Sequence, residues 1–222
     1  MDEMLKKILT SRVYEAAVET PLEEVTGLSA TLHNRVLLKR EDKQPVFSFK
    51  IRGAYNKIAH LSDEEKQRGI LAASAGNHAQ GVAYASRQLG LRCLIVMPET
   101  TPRIKVDAVR RFGGEVILHG TSYSEAAEHV EQLQKEHGMV FVHPFDDPLV
   151  IAGQGTVADE LMRQNPGELD AVFVPIGGGG LIAGISAYIQ ALRPDIKVIG
   201  VEPADSDAMI RSLEQDKIIS LD

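Results

Sequence analysis

The sequence of 222 residues has no tryptophan and a single cysteine, and it lacks both long apolar runs and basic runs. One cysteine excludes an internal disulfide framework, and the apolar neighbours of Cys93 favour a buried, reduced thiol over a nucleophile. No apolar run is long enough for a membrane span, and the net charge of −7 without a basic cluster disfavours nucleic acid. The sequence therefore predicts a soluble cytoplasmic protein that binds neither a membrane nor nucleic acid.

Short apolar runs alternate with amphipathic stretches along most of the chain. Besides a helix after residue 48, the predicted helices are 3–9, 14–30 with an interruption at Thr20-Pro21, 77–89, 103–112, 124–137, 148–164, 181–192 and 206–215. The predicted strands are 36–40, 70–73, 93–97, 116–119, 139–142, 172–176 and 198–201. Short buried strands that alternate with helices are typical of a parallel sheet covered on both faces, so the pattern predicts an α/β fold.

The apolar residues that lead to Asp222 resemble the approach to a further element. A parallel sheet that stops at the strand 198–201 would leave apolar surface uncovered. We therefore expect the chain to be a fragment of a longer protein.

A lysine opens the helix predicted after residue 48, within the stretch SFKIRGA. Ser48 is the N-cap candidate, and Lys50 lies in the first turn beside an apolar row. Partly apolar surroundings and the positive helix N-terminus would both lower the pKa of this amine, and a neutral amine attacks carbonyl groups. The alternative interpretation is a surface lysine ahead of an ordinary helix.

Four consecutive glycines, Gly177–Gly180, join the strand 172–176 to the helix that Leu181 opens. Glycines let the backbone approach a ligand closely, and the free N–H groups of a helix N-terminus suit a phosphate. A flexible turn is the alternative interpretation. The position of the four glycines between a strand and a helix favours phosphate binding.

The same glycines admit a nicotinamide dinucleotide as an alternative ligand. Gly178, Gly180 and Ala183 match the pattern G-x-G-x-x-A, and Glu202 ends the next predicted strand where a ribose-binding acid is expected. This reading predicts an NAD-dependent dehydrogenase. It is disfavoured because the unit lies late in the chain and gives Lys50 no role.

A third stretch, ASAGNHAQG at residues 73–81, also lies between a predicted strand and a helix. Ser74 offers a hydroxyl, Asn77 offers an amide, and the first N–H groups of the helix are free, which together suit a carboxylate. Alternatively, Ser74 or Asn77 only caps the helix and His78 is structural.

Taken in order, these three stretches resemble the signatures of fold-type II pyridoxal-phosphate enzymes, and within them those of threonine dehydratases. The stretch KREDKQP at residues 39–45 is similar to the biosynthetic form. The resemblance implies a three-layer α/β fold like that of the tryptophan synthase β subunit, with two domains and mostly parallel sheets. The large cofactor domain would comprise 1–39 and 148–222, and a small domain, 40–147, would be inserted into it, with the cofactor between the two.

The resemblance also assigns roles to individual residues. Lys50 would hold pyridoxal 5'-phosphate covalently and later move the substrate α-proton. Phe49 would pack near the cofactor ring, and Asn77 would meet the ring oxygen. The phosphate would be held by Gly177, Gly178, Gly179, Gly180 and Leu181. The substrate carboxylate would be held by Ser74, Ala75, Gly76, Asn77 and His78. No metal is implied.

The implied reaction is deamination of L-threonine to 2-oxobutanoate and ammonia, the first step of isoleucine biosynthesis, with L-serine as a poorer substrate and with a homotetramer as the assembly. Serine racemases that resemble this family carry a serine acid at the position of Ala75, which has no proton to give. Ala75 therefore favours a dehydratase. Because nothing matches the family's late serine or cysteine or its regulatory domain, a non-catalytic truncated fragment that only binds the cofactor remains a second alternative.

Overall fold

A computed structural model describes residues 3–219, so the last part of the apolar C-terminal stretch, 220–222, lies outside the described residues. Contacts within the chain group the described residues into two compact units. We call Arg12–Pro144 the central unit, and the residues up to Ser11 together with those from Phe145 onwards the flanking unit. The predicted domain division, 1–39 and 148–222 against 40–147, stays a prediction.

The helices are α1 (Glu3–Leu9), α2 (Thr26–Leu32), α3 (Lys50–Ala59), α4 (Asp63–Arg68), α5 (Asn77–Gln88), α6 (Arg103–Arg111), α7 (Tyr123–His137), α8 (Pro148–Gln164), α9 (Gly180–Leu192) and α10 (Ala208–Gln215). The strands are β1 (Leu22–Glu24), β2 (Leu37–Lys39), β3 (Ile70–Ala73), β4 (Cys93–Met97), β5 (Glu115–Leu118), β6 (Val140–Phe141), β7 (Ala171–Pro175) and β8 (Lys197–Val201). Within the described residues, no helix combines the length and apolar character needed to cross a membrane.

The central unit is built on a parallel sheet with the strand order β5-β4-β3-β6. Both inner strands are buried along their whole length. Successive side chains on a strand face opposite ways, so Ile70 and Ile95 join the apolar cluster that contains α3 and α5 residues, whereas Leu71 and Val96 join that of α7. The predicted parallel sheet with both faces covered is therefore confirmed.

The single thiol lies inside this sheet. Cys93 is buried at the start of β4, and burial raises the pKa of its thiol to about 12. A thiol with such a high pKa carries almost no thiolate at neutral pH. The interpretation of Cys93 as a structural residue is confirmed.

The predicted helix over 14–30, interrupted at Thr20-Pro21, is largely wrong, because only its last residues, from Thr26 onwards, are α-helical. The chain instead forms a 3₁₀ turn at Val13–Glu15, then β1, then α2, and β1 pairs antiparallel with β2. Pro21 cannot continue a helix and biases the residue before it toward extended backbone. Residues 22–24 are therefore extended, and they form a strand because they pair with β2, about fifteen residues later in the sequence.

In the flanking unit, α8 and α9 pack so closely that their backbones touch. A β-carbon added at Gly184 would lie 2.4 Å from the Ile151 carbonyl oxygen and 2.6 Å from the Gly155 nitrogen. One added at Gly155 would lie 2.6 Å from Cδ1 of Ile8 on α1. These two glycines let three helices share one core beside the parallel pair of β7 and β8.

Gly184→Ala is expected to lower the free energy of unfolding by about 3 kcal/mol, because the new methyl group has no space and overpacked cores lose stability. Urea denaturation followed by circular dichroism measures the loss. Gly167→Ala is the matched control, since a β-carbon there meets nothing within 4 Å. Equal stability of the two variants would contradict the close helix contact.

Candidate functional site

Lys50 is the first residue of α3, and its amine is partly buried. The amine Nζ donates a hydrogen bond to the Pro144 carbonyl oxygen at 2.7 Å and lies 5.5 Å from the centroid of the Phe49 ring. Burial lowers the pKa of the Lys50 amine below its ordinary value. The predicted direction of the pKa shift is confirmed, and the interpretation as an ordinary surface lysine is not supported.

Ser48 does not cap this helix, which corrects the prediction. Phe49 already has helical dihedral angles of φ −61° and ψ −14° and occupies the cap position, so Ser48 lies one residue too early. The Ser48 Oγ is buried and has no hydrogen-bond partner within residues 3–219. A buried hydroxyl without a partner is uncommon, and it leaves a polar group two residues before Lys50 available to a ligand.

The loop between β3 and α5 carries the second set of predicted residues. The Ser74 Oγ accepts a hydrogen bond from the Gly76 N–H at 3.2 Å, and no side chain in the described part of the chain caps α5. Neither Ser74 nor Asn77 is therefore a helix cap, which removes that alternative. The side chain of Asn77 is exposed, and the first-turn N–H groups of α5 have no acceptor within the helix. These donors suit an anion such as a carboxylate.

The side chain of His78 is buried and hydrogen-bonded inside the central unit. Its ring is buried, and Nε2 lies 2.9 Å from the Val142 carbonyl oxygen. Because a carbonyl only accepts, Nε2 carries the proton. Burial, with smaller contributions from the nearby Lys50 and His143, lowers the pKa of His78 to about 3. The imidazole is thus neutral, and any contact of His78 with a carboxylate falls to its backbone N–H.

His78 should make folding depend on pH. The unfolded residue takes up a proton as the pH falls through about 6.5, whereas the folded residue stays neutral down to about pH 3. Stability is therefore lost as the pH falls, by about 1.5 kcal/mol between pH 6.5 and about pH 5 from this residue. Urea denaturation at both pH values should show a smaller loss for His78→Gln than for the parent chain. Exposed His137→Gln controls for the removal of one histidine, and a loss in His78→Gln equal to the parent's would contradict the buried neutral ring.

The glycine turn in the flanking unit has no room for side chains at its centre. A β-carbon at Gly178 would lie 2.1 Å from Cδ1 of Phe145, and one at Gly180 would lie 2.7 Å from the Phe145 carbonyl oxygen. Gly179 has a φ of +89°, which side chains rarely adopt, whereas the space around Gly177 is open. Helix α9 follows with no side-chain cap among the described residues. A tightly packed turn that exposes free N–H groups fits a phosphate better than it fits a flexible linker.

Glu202 is already engaged as the cap of α10. Its two carboxylate oxygens accept the N–H groups of Met209 and Ile210, each at 3.0 Å. A ribose-binding acid needs these oxygens for hydroxyl groups. The dehydrogenase alternative, which rested on Gly178, Gly180 and Glu202, is therefore not supported.

Sequence reasoning missed a buried charge cluster next to Lys50. The Arg52 guanidinium is fully buried and binds Glu41 through two hydrogen bonds, from Nε at 2.8 Å and from Nη2 at 2.7 Å. The Thr20 Oγ1 donates to the same carboxylate at 2.6 Å, and the Gln44 amide donates to it at 3.2 Å. An arginine inside the apolar stripe of α3 was the signal available in the sequence.

Two groups of residues, taken separately, each suit one part of pyridoxal phosphate. The partly buried amine of Lys50, with its lowered pKa, suits an aldehyde. The packed glycine turn suits a phosphate, and the unpartnered Ser48 hydroxyl leaves a polar group for a ligand. The residues present therefore fit this cofactor.

Comparison with known proteins agrees with that chemistry. The chain is 59% identical over 222 residues to the biosynthetic L-threonine dehydratase of Burkholderia multivorans, covering 99% of the chain and 44% of that protein. It is 52% identical over 220 residues to the chloroplastic biosynthetic threonine dehydratase of Arabidopsis thaliana, covering 99% of the chain and 37% of that protein. The chain thus spans less than half the length of these curated relatives.

Solved structures match as well. Processed threonine deaminase isoform 2 of Solanum lycopersicum superposes with a TM-score of 0.96 at 49% identity, covering 99% of this chain and 64% of that one. Maize serine racemase superposes with a TM-score of 0.93 at 36% identity, covering 99% and 66%. The fold-type II α/β fold predicted from the sequence is therefore confirmed.

A family profile described as pyridoxal-phosphate dependent enzyme matches residues 13–222. This match starts before the first strand and includes Lys50, the Ser74–His78 loop and the glycine turn. Because it covers nearly the whole chain, the chain belongs to the family of pyridoxal-phosphate dependent enzymes.

Proposed function

We propose that the protein to which this chain belongs deaminates L-threonine to 2-oxobutanoate and ammonia with pyridoxal 5'-phosphate, and that it accepts L-serine as a poorer substrate. The observation that carries the proposal is the Lys50 amine, partly buried, lowered in pKa and held on the Pro144 carbonyl. The names of the relatives, biosynthetic threonine dehydratases at 59% and 52% identity, support the substrate.

Lys50 binds the cofactor covalently in this proposal, and Phe49 packs beside its ring. Asn77, whose side chain is exposed at the start of α5, binds the ring oxygen. The phosphate is bound by the N–H groups of Gly177, Gly178, Gly179, Gly180 and Leu181. When bound, the cofactor withdraws electrons from the substrate Cα and makes its proton acidic.

The residues of the central unit handle the substrate. Ser74, Ala75, Gly76, Asn77 and His78 hold the carboxylate, with backbone N–H groups at the N-terminus of α5 as the donors. The neutral amine of Lys50 would take the α-proton, and the β-hydroxyl would leave with a proton as water. The resulting enamine would take up a water molecule after release and give 2-oxobutanoate and ammonia. Ala75 has no proton to give to the opposite face of Cα, which favours deamination over racemisation.

The proposal extends to the whole protein. It places the protein in the cytoplasm, in isoleucine biosynthesis and in a homo-oligomer, a tetramer. It also includes two domains, of which the larger contains 1–39 and 148–222 and the smaller contains 40–147. Analytical ultracentrifugation of a longer version of the chain tests the assembly.

The test locates the residue that binds the cofactor and measures the product of the proposed reaction. The purified chain is incubated with pyridoxal phosphate and reduced with borohydride, and mass spectrometry locates the added mass, which we expect on Lys50. Formation of 2-oxobutanoate from L-threonine is then measured for this chain and for a longer version. A label on another lysine would overturn the site. A label on Lys50 without product from either version would overturn the reaction and leave the cofactor-binding fragment as the function.

A further inference from the structure

Helix α5 touches the backbone of Lys50 directly, at Gly81. A β-carbon added at Gly81 would lie 3.1 Å from the Lys50 carbonyl carbon, 3.2 Å from its oxygen and 3.3 Å from the Ile51 nitrogen. These distances are shorter than ordinary van der Waals contacts of a methyl group, so only a hydrogen atom fits without displacement. The contact joins α5 to the first peptide of α3.

Nothing local favours glycine at this position. Gly81 lies inside α5, where alanine is the better helix former, and its φ lies outside the left-handed region. The structural effect of the missing side chain is therefore the close approach of the two helices. The sequence showed Gly81 only as the last residue of the stretch 73–81.

The position of Gly81 links the two functional parts of the central unit. It lies four residues, about one helical turn, after Asn77, where the Ser74–His78 loop enters α5. Its contact falls on the peptide that carries the Lys50 side chain. The backbone distance between the lysine and the Ser74–His78 loop is thus set by the absence of a β-carbon at Gly81.

We propose that Gly81 is a positioning residue, which fixes the distance between the Lys50 amine and the loop that holds the substrate carboxylate. The consequence for turnover rests on the proposed function, whereas the consequence for the amine concerns the cofactor-free chain. Because the loop leads directly into the helix that contains Gly81, a methyl group at Gly81 displaces the lysine relative to the loop and leaves the loop itself intact.

Gly81→Ala is expected to move the first turn of α3 by a few tenths of an ångström away from α5. The amine then loses part of its burial and of its contact with Pro144, so its pKa moves up toward the ordinary value of lysine. In the loaded enzyme kcat should fall about tenfold, because proton transfer depends on sub-ångström placement. KM should change by less than about twofold, since the carboxylate donors stay on α5.

The amine is measured in the cofactor-free chain by acetylating it at a series of pH values and quantifying the Lys50 peptide by mass spectrometry. The pH at which Lys50 becomes half-reactive should rise in Gly81→Ala. Gly27→Ala is the matched control, also a glycine in a helix, where a β-carbon meets nothing within 4 Å. This control should leave the Lys50 profile unchanged and should not lower the melting temperature. An unchanged Lys50 profile in Gly81→Ala would overturn the proposal.

A second variant keeps the test possible if Gly81→Ala does not fold. If Gly81→Ala unfolds, Gly27→Ala is added, because alanine in the exposed helix α2 raises stability without touching the site. The pair of readouts also separates the proposal from the proposed function. If the Lys50 profile shifts in Gly81→Ala but neither the parent chain nor its longer version turns over L-threonine, the positioning role of Gly81 is supported and the proposed reaction is contradicted. If the parent turns over L-threonine and Gly81→Ala shows the same Lys50 profile and the same kcat, the positioning role is contradicted and the proposed function stands.

Discussion

Replacing Lys50 by alanine is expected to lower the turnover of L-threonine by about 10³-fold or more and to abolish the borohydride-stable label. In the proposed function the amine has two tasks, covalent binding and proton transfer, and both need a neutral nitrogen at one position. Its burial and its bond to Pro144 provide that nitrogen in a defined place. Product formation and mass spectrometry of the reduced protein measure the two losses.

The control for this variant is Lys105→Ala, since Lys105 is exposed on α6. It should keep both the label and the turnover. Added methylamine should restore part of the turnover of Lys50→Ala, because a small amine can enter the space that the side chain leaves. Unchanged activity in Lys50→Ala would show that another residue moves the proton.

Glu41→Gln is expected to lower the free energy of unfolding by about 3–5 kcal/mol. The change removes the carboxylate that binds the fully buried Arg52 guanidinium through two hydrogen bonds, and breaking a buried ion pair is strongly destabilising. The exposed fraction of the two side chains is 0% for Arg52 and 14% for Glu41, so water cannot replace the lost partner. Urea denaturation gives the value.

An exposed pair in the same unit is the matched control. Arg92 and Glu115 form an ion pair with Nε–Oε1 at 2.9 Å, but their side chains are 63% and 53% exposed. Glu115→Gln should therefore lower the free energy of unfolding by less than about 1 kcal/mol. The double variant Glu41→Gln/Arg52→Met should recover much of the loss of Glu41→Gln, because it also removes the buried positive charge that the carboxylate had balanced. Similar losses for the two single glutamine variants would contradict a special role for the buried pair.

Local pattern was enough to predict much of the fold and the location of the site. Helix α8 begins and ends where the sequence predicted, and β3 and β4 coincide with their apolar runs. Lys50, the Ser74–His78 loop and the glycine turn were all visible as short motifs at strand or helix ends. These features depend on periodicity and on neighbours within a few residues, which a sequence displays directly.

What the sequence could not show were partners distant along the chain. Lys50 bonds to a carbonyl 94 residues away, and His78 bonds to one 64 residues away. Ser48 was predicted as a cap because its residue type suits one, but the helix began at a different residue. Glu202 had the right place for a ribose-binding acid, but its oxygens are taken by α10. For Lys50 and His78 tertiary contacts decided between readings that the local pattern left open, and for Glu202 the following helix did so.

The burial of Cys93 has a practical consequence. The only sulfhydryl of the sequence lies buried at the start of β4, where this strand pairs with β3, and it is protonated and out of reach of alkylating reagents while the sheet is closed. Its modification rate in the intact molecule therefore gauges how often the sheet opens, without any engineered reporter.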